Sequence, residues 1–441
     1  MTMDMKEFQR RRKKLMDLMG NESIAIIPTA SVYIRNRDVE FPFRPDSDFY
    51  YLTGYSEPEA VAVLVPDRDH GEFVLFCREN DPVMETWNGR RSGIEGAVNQ
   101  YGADDAFPVS DLDEILPGLL ENRERIYYTM GNNVAFDQRV LGWVNQVRKR
   151  ARTGVNAPDE FISLNHFVHE MRLYKSRAEV ASMRKAARIS AQAHIRAMQV
   201  CRAGMMEYQI EAELKYLFTQ LGAREPAYPP IVGGGANSCI LHYTENNQVL
   251  KDGDILLIDA GSEYKNYASD ISRTFPVNGK FSRSQRDVYD IVLKAQLAAI
   301  AKVKPGNHWD EPHNAAIEVL TEGMIDLGIF KGRLKELIKD QSYTKYYMHR
   351  TGHWLGMDVH DVGDYKVEGE WRTFEPGMVL TVEPGMYLPA GSKGLARKWW
   401  NIGVRIEDDV LVTATGNEVL SKDVPKAVDA IEAIMAREIA A

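Results

Sequence analysis

The fold of the C-terminal half is decided by two stretches that align without a gap, Gly253-Asp-Ile-Leu-Leu-Ile-Asp-Ala-Gly261 and Gly377-Met-Val-Leu-Thr-Val-Glu-Pro-Gly385. Each stretch contains a turn glycine, an apolar run typical of a buried strand, an acid, one further residue and a second glycine. The match predicts a domain built from two similar halves. Because both acids end apolar runs, we expect the carboxylates of Asp259 and Glu383 to be at least partly buried.

Each repeated stretch is followed by a second strand-like run that carries another acid. These acids are Asp270, in 269–275, and Glu407, in 404–410. A duplicated half-domain brings the two acid pairs together across a pseudo-twofold axis. Buried carboxylates need a cation or strong hydrogen-bond donors, so the pattern indicates either salt bridges, with Arg405 as one available cation, or a metal site. Four acids in two short segments favour the metal site.

A nitrogen ligand is available in residues 347–361, which contain His349, His353 and His360. The spacing of four residues between the first two histidines resembles the helical H-E-x-x-H zinc motif. That interpretation fails, because Arg350 stands at the glutamate position and two glycines disfavour a helix. A single histidine is more often a core residue than a ligand. Three of them beside four acids favour a role in the site.

The length of 441 residues predicts two domains. Short apolar runs alternate with helical patterns between residues 23 and 156, which indicates an α/β domain, with a hairpin turn at 68–71. Capping-box spacings at Ser176 and Ser282 begin two long helices, and a third helix is predicted from Glu207 to Leu221. We therefore place the domains at residues 1–172 and 173–441, the second being α+β.

The composition excludes some classes of protein. A net charge of −9 argues against binding nucleic acid, and the basic run 10–14 is interpreted as the solvated face of a first amphipathic helix. We find no signal peptide and no apolar segment long enough to span a membrane. The three separated cysteines, Cys77, Cys201 and Cys239, suggest neither disulfides nor a zinc site, and they fit a reducing, cytoplasmic location.

Five residues in these local sequences resemble, in order, the metal ligands of the pita-bread fold peptidases, the group that contains methionine aminopeptidase, prolidase and aminopeptidase P: Asp259, Asp270, His353, Glu383 and Glu407. The resemblance covers essentially the whole chain. Within the group the sequence is most similar to the aminopeptidase P family, on the segments 41–54, 85–91, 240–246 and 353–363. It implies an α/β N-terminal domain and a C-terminal pita-bread domain with an internal pseudo-twofold repeat.

The resemblance also implies an activity. One histidine and four carboxylates form an oxygen-rich set that suits two Mn²⁺ ions. Asp270 and Glu407 are expected to bridge the ions, Asp259 to complete one, and His353 with Glu383 to complete the other. A bridging hydroxide then attacks the carbonyl of the first residue of a peptide whose second residue is proline. Glu383 is expected to pass the proton to the departing proline nitrogen.

Other residues receive roles from the same resemblance. His242, His349 and His360 are expected to orient the substrate and stabilise the oxyanion, and Tyr387 and Arg405 to lie beside the proline pocket. Asp38 and Tyr228 are expected to form a hydrogen-bonded set with Arg405, although both also fit as surface polar residues. Trp87 resembles a residue presented to a neighbouring subunit, which implies a homo-oligomer, a dimer or tetramer; a simple core tryptophan is the alternative.

Three alternatives remain open. Prolidase uses the same metals but cleaves only Xaa-Pro dipeptides. A catalytically silent pita-bread module would bind peptides or proteins, although such modules lose ligands that are all present here. Creatinase-like amidine hydrolysis uses the same fold without metals, and the complete acid set argues against it. One departure from the family is Arg350, which occupies a position where many relatives carry glycine.

Overall fold

The first strand of the chain, β1 (Ser23–Pro28), lies in the middle of a six-stranded sheet and is buried along almost its whole length. The computed structural model describes residues 4–436. It divides into two units, Met1–Met171 and Arg172–Ala441. The mixed α/β content of both units agrees with the fold class expected from the sequence.

Unit 1 contains the large sheet, one separate hairpin and the first helices of the chain. Its remaining strands are β2 (Ile34–Asn36), β3 (Val39–Glu40), β4 (Val61–Leu64), β5 (Phe73–Cys77), β6 (Asp105–Pro108), β7 (Arg125–Tyr127) and β8 (Glu160–Ile162). Its helices are α1 (Met5–Met19), α2 (Ser47–Thr53), α3 (Pro82–Asn88), α4 (Gly93–Asn99), α5 (Leu112–Leu120), α6 (Val134–Arg148) and α7 (Asn165–Leu173), the last of which crosses the boundary between the units.

The strand order of the large sheet is β6-β5-β4-β1-β7-β8. β1 runs parallel to β7 and antiparallel to β4. The predicted hairpin turn at 68–71 is confirmed, since β4 pairs antiparallel with β5 and the Gly71 amide bonds the Arg68 carbonyl. Apolar side chains of these strands pack against α5 and α6 to form the core of the unit.

The interpretation of residues 10–14 as a solvated face is wrong for two of the five residues. Arg11 and Arg12 are buried. Arg11 donates to the Tyr51 carbonyl and lies over the Tyr51 ring, and Arg12 donates to the Leu52 carbonyl and lies over the Phe73 ring. A guanidinium can be buried in this way because carbonyls take its N–H groups and an aromatic face takes its charge.

Unit 2 combines long helices with several small sheets. Its helices are α8 (Arg177–Val200), α9 (Glu207–Gln220), α10 (Arg283–Ile300), α11 (Glu311–Asp326), α12 (Leu334–Lys339) and α13 (Val428–Met435). Its strands are β9 (Glu225–Pro226), β10 (Ile231–Gly234), β11 (Ile255–Asp259), β12 (Ser262–Tyr264), β13 (Tyr267–Ala268), β14 (Ser272–Pro276), β15 (Lys366–Val367), β16 (Glu370–Trp371), β17 (Val379–Val382), β18 (Gly385–Leu388), β19 (Ile402–Arg405), β20 (Asp408–Thr413) and β21 (Gly416–Val419).

The predicted helix starts are confirmed. Ser176 and Ser282 each cap a helix by a reciprocal capping box, with Glu179 and Gln285 as the third helical residues. The helix predicted from Glu207 is α9, which ends one residue before the predicted end. These helices contribute one face each to the large apolar core of the unit.

The two repeated stretches form equivalent strand pairs. β11 pairs antiparallel with β14, and β17 pairs antiparallel with β20. The glycine that ends each repeat is required by close packing: a Cβ atom at Gly261 would lie 1.6 Å from the Ser269 carbonyl oxygen, and one at Gly385 would lie 2.9 Å from the Val404 carbonyl oxygen. The repeated acid, spacer and glycine therefore mark the point where each strand crosses closely over its neighbour.

In the described residues, every helix is too short or too polar to cross a lipid bilayer.

Candidate metal centre

The four repeated acids lie at the ends of the repeated strands. Asp259 is the last residue of β11, and Asp270 comes shortly before β14. Glu383 follows β17 directly, and Glu407 occupies the short connection between β19 and β20. Strand ends hold these carboxylates on rigid elements while freeing their oxygens from the sheet.

The acids and His353 converge on one point of unit 2. Single donor atoms of Asp270, His353 and Glu407 lie within 4.8 Å of one another. His353 Nε2 is 3.3 Å from an Asp270 oxygen and 3.8 Å from a Glu383 oxygen. Asp259 joins the group through Tyr228, whose hydroxyl lies 2.6 Å from Asp259 Oδ1 and also within bonding distance of Asp270 Oδ1.

These contacts surround a cavity of about 460 Å³. It is lined by the four acids and His353, together with Tyr228, Pro229, Ile231, Leu241, His242, Thr244, His349, Arg350, Gly352, Val359, His360 and Arg405. We call Asp259, Asp270, His353, Glu383 and Glu407 the floor of the cavity and the other lining residues its wall. The floor is rich in carboxylates and the wall is partly apolar, as in a site that fixes a mostly apolar ligand by a few polar groups.

The carboxylates of the floor are buried with too few positive charges beside them. Burial raises the pKa of Glu383 to about 7, and burial together with the charge of Asp270 raises the pKa of Glu407 well above its usual range. Burial also raises the pKa of Asp259, although Arg405 opposes it. For Asp270 the hydrogen bond and charge of His353 outweigh burial and lower the pKa.

His353 shows the reciprocal effect. Burial alone lowers a histidine pKa, but the hydrogen bond and charge of Asp270 outweigh it and raise the pKa of His353 to about 9. A proton on this imidazole therefore takes the place of a cation among the acids.

The donor set fits a divalent metal. In the described residues, no arginine or lysine lies within ion-pair distance of Asp270, Glu383 or Glu407, whereas Arg405 pairs with Asp259 at 2.6 Å. Salt bridging therefore accounts for one acid of the four. In addition, one phenol hydrogen cannot satisfy both carboxylates that contact Tyr228, so the arrangement requires a proton or a cation between them. Four carboxylates and one imidazole are ligands that hard divalent ions prefer.

A second chain of contacts runs from Asp259 to His349. Arg405 donates to Asp259 Oδ2, to Ser272 Oγ at 2.9 Å and to the Tyr387 hydroxyl at 3.0 Å. The Tyr387 hydroxyl lies 2.9 Å from His349 Nε2. β18 and β19 pair antiparallel with Gly385 opposite Arg405, so Tyr387, two residues further along β18, lies diagonally beside Arg405. This series of hydrogen bonds links one acid of the floor to a histidine of the wall.

The remaining histidines lie on the wall of the cavity. The His360 ring packs edge to face on the His353 ring at a centroid distance of 4.3 Å. His242 lines the cavity from the connection between β10 and β11. Burial, with a smaller effect of Arg405, lowers the pKa of His349 to about 3, and burial also lowers the pKa of His360. Both are therefore neutral near neutral pH. The two ring nitrogens of His349 already contact the Arg350 carbonyl and the Tyr387 hydroxyl, whereas His360 keeps one N–H and one lone pair for a ligand.

Two of the predicted site residues lie in unit 1. Trp87 is 80% exposed on α3, so it is not a core tryptophan, and Asp38 is exposed in the turn between β2 and β3. The expected hydrogen-bonded set is only partly seen in unit 2. Tyr228 and Arg405 both bond Asp259, but no direct bond joins them among the described residues. The reason is that the carboxylate of Asp259 lies between the two side chains.

Sequence analysis did not identify Ser272 or Asp361. Ser272 donates to Glu407 and accepts from Arg405. The signal was present, because Ser272 stands in the same short run, 269–275, as Asp270. Asp361 is buried, pairs with Lys175 at 2.9 Å and also pairs with Arg172. It anchors the end of the segment that carries the three histidines, and no local pattern pointed to its distant partners.

Comparison with known proteins agrees with this site. The model of metallopeptidase family M24 matches residues 181–414, and the model of the aminopeptidase P N-terminal domain matches residues 8–127. The Xaa-Pro aminopeptidase of Escherichia coli is 45% identical over 430 residues, 97% of each chain.

Solved structures of related proteins share the fold over nearly the whole chain. The structure of Pseudomonas aeruginosa aminopeptidase PepP is 57% identical, with a TM-score of 0.97 over 98% of both chains. The zinc-substituted Escherichia coli aminopeptidase P in complex with product is 44% identical, with a TM-score of 0.96 over 99% of both chains. The catalytic domain is thus of the pita-bread type, with its acid and histidine cluster at the centre. The chain belongs to metallopeptidase family M24 and, within it, to the aminopeptidase P family.

Proposed function

We propose that the protein is a metal-dependent exopeptidase that releases the N-terminal residue from peptides with proline in second position. The observation that carries this proposal is the convergence of Asp259, Asp270, His353, Glu383 and Glu407 on the floor of one cavity, in a chain of the aminopeptidase P family. Enzymatic peptide hydrolysis follows from membership of the family.

We propose that these five residues hold two divalent ions and that the ions are Mn²⁺. The oxygen-rich donor set supports manganese over a thiolate-bound zinc. When bound, such ions polarise a carbonyl and lower the pKa of a coordinated water. The similar zinc-substituted structure supports divalent binding in the family.

The residues of the chain itself perform the remaining tasks. Glu383 lies on the floor beside His353, where it is placed to accept a proton and to release it to the departing proline nitrogen. His349, His360 and His242 line the cavity, where they orient the peptide and stabilise the carbonyl oxygen as negative charge develops on it. Arg405 holds Asp259 and Tyr387 in place.

The wall of the cavity suits a peptide that has proline in second position. The bond that precedes proline has no N–H, so no acceptor is required for it, and the ring needs an apolar surface. Tyr228 and the apolar residues Ile231, Leu241 and Val359 line the cavity and supply such a surface. Tyr387 does not line the cavity but belongs to the apolar cluster that includes Ile231.

We further propose a homo-oligomer, a dimer or tetramer, in which exposed Trp87 contributes to a neighbouring site. An indole that is 80% exposed supports an interaction surface at α3. A cytoplasmic location is proposed from the three free thiols. Sedimentation of wild-type protein and of Trp87→Ala would measure the assembly and its effect on turnover.

The activity is tested with a panel of three peptides and protein loaded with Mn²⁺. Xaa-Pro-Yaa should be cleaved at the first bond, Xaa-Ala-Yaa at least tenfold more slowly, and the dipeptide Xaa-Pro poorly. Preference for the dipeptide would favour prolidase. No cleavage of any peptide by metal-loaded protein would contradict the proposal and favour a binding module.

A further inference from the structure

Arg350 is an exposed cation at the wall of the cavity and has no role in the proposed chemistry. It follows His349 directly and lines the cavity together with the five acid and histidine residues of the floor. In the described part of the chain, no carboxylate lies within ion-pair distance of its guanidinium. Asp310 lines the same small cleft as Arg350, but its carboxylate accepts from Asn314 instead.

The guanidinium is nevertheless held in a defined place. Its central carbon lies 5.1 Å from the centroid of the Trp371 ring, which packs against the core of unit 2. Stacking on an aromatic face fixes the plane of a guanidinium and leaves its N–H edge available to a carboxylate. Lys366 lies on the same ring at 4.4 Å but does not line the cavity.

The charges of the cavity are thus arranged with one sign on the floor and the other at the wall. Asp270, Glu383 and Glu407 lack arginine or lysine partners on the floor, whereas Arg350 lacks an acidic partner at the exposed edge. A short peptide with free ends carries the matching charges, an ammonium at its N-terminus and a carboxylate at its C-terminus. With metal ions bound to the floor carboxylates, the unpaired charge at the exposed edge is that of Arg350. It attracts the carboxylate end of such a peptide and so favours a peptide that enters with its amino end first.

We propose that Arg350 recognises a carboxylate on the C-terminal side of the scissile bond and makes this enzyme selective for short peptides with a free C-terminus. This inference rests on the proposed function, since it assigns a substrate class to the same site. The amino end is excluded as the partner of Arg350, because an ammonium and a guanidinium repel one another.

The test compares Xaa-Pro-Yaa peptides that end in a carboxylate with the same peptides ending in an amide. For wild-type protein loaded with Mn²⁺, we expect the KM of the acid to be about two- to fivefold lower than that of the amide, the range of an exposed ion pair. The difference should shrink as salt is raised, because ions screen an exposed pair. Turnover number should be similar for both peptides, since the contact is made equally in the ground and transition states.

Three variants isolate the contact. Arg350→Met should abolish the difference between acid and amide while leaving cleavage of the amide intact, and Arg350→Lys should keep most of it. Lys366→Met removes a charge from the same indole but not from the cavity, so it should leave the ratio unchanged. The four values of KM for two proteins and two peptides form a cycle in which effects common to both peptides cancel.

The outcomes separate this inference from the proposed function. If Arg350→Met retained the wild-type ratio of acid to amide, the assignment of Arg350 would be overturned while the activity stood. Equal KM values for acid and amide with wild-type protein would overturn it as well. Failure of wild-type protein to cleave either peptide would refute the proposed function, and this inference with it.

Discussion

At the scale of single residues, buried histidines separate into two kinds. His353 lies among carboxylates, and its pKa is raised to about 9 by Asp270. His194, on α8, donates through Nε2 to the Ala260 carbonyl and has no partner for Nδ1 among the described residues. Burial lowers the pKa of His194 to about 4. The same residue type therefore lies among carboxylates in one place and beside a single carbonyl acceptor in the other.

His194 predicts a pH dependence of stability. Its pKa is about 4 in the folded chain and about 6.5 when unfolded, so the unfolded chain binds more protons between these values. Stability should fall as the pH is lowered from about 6.5 to 4, by about 3 kcal/mol from this residue alone. His194→Asn, which retains a donor, should show a shallower slope in urea unfolding over that range. An unchanged slope would contradict the assignment.

Single residues also show how far sequence reasoning reaches. The acids Asp259 and Glu383 could be identified because each ends an apolar run in a repeated pattern, a local signal. The burial of Arg11 and Arg12 could not, since their carbonyl partners lie 40 residues further along the chain. The contact of Tyr228 with two acids likewise depends on the approach of distant strands.

At the scale of elements, one glutamate organises the connection that carries His242. Glu207, at the start of α9, is fully buried and accepts hydrogen bonds from the Gly234 and Gln248 amides, Asn237 and Tyr243. Four donors satisfy both of its oxygens, so no cation is needed. The residues between β10 and β11 are thereby tied to α9, and with them part of the cavity wall.

Glu207→Gln should loosen this connection. The amide nitrogen of glutamine would face donors where an oxygen now accepts, and loss of two bonds to a charged acceptor costs about 3 kcal/mol or more. We expect faster hydrogen exchange in 231–248 and a raised KM with a smaller change in kcat. Glu213→Gln, on the same helix in a surface pair with Arg196, is the control. Equal exchange in both variants would argue against this role.

The repeated glycines make a second prediction at this scale. A Cβ atom at Gly261 would collide with the Ser269 carbonyl, whereas one at Gly416 would meet nothing within 4 Å. Gly261→Ala should cost about 3 kcal/mol or more and displace the strand ends that carry Asp259 and Asp270. Gly416→Ala should be nearly neutral. Urea unfolding compares them, and similar midpoints would show that the crossing tolerates a side chain.

Elements were more predictable than contacts. Capping boxes at Ser176 and Ser282 identified two helix starts because the motif is complete within four residues. The repeat identified β11 and β17 and the acid-bearing runs that follow them, because each copy is a continuous stretch of sequence. The ion pairs of Asp361 with Arg172 and Lys175 could not be identified, since these partners lie more than 180 residues away.

At the scale of the whole molecule, the chain contains an aminopeptidase P N-terminal domain followed by an M24 catalytic domain. The sequence alone indicated both parts, because the α/β alternation ends before the first long capped helix. The catalytic cavity is built from residues of unit 2. The selectivity proposed for Arg350 concerns unit 2 alone, whereas the oligomer proposed from Trp87 concerns unit 1.

The central claim is that the converged acids and His353 hold divalent ions. It is tested most directly by counting the ions bound per chain, by elemental analysis, after Mn²⁺ loading and exhaustive dialysis. We predict about two ions for wild-type protein and for Asp252→Asn, an exposed acid outside the site. Asp270→Asn should retain fewer ions and lose turnover in proportion. Wild-type protein without bound ions, or Asp270→Asn with the full number, would contradict the account.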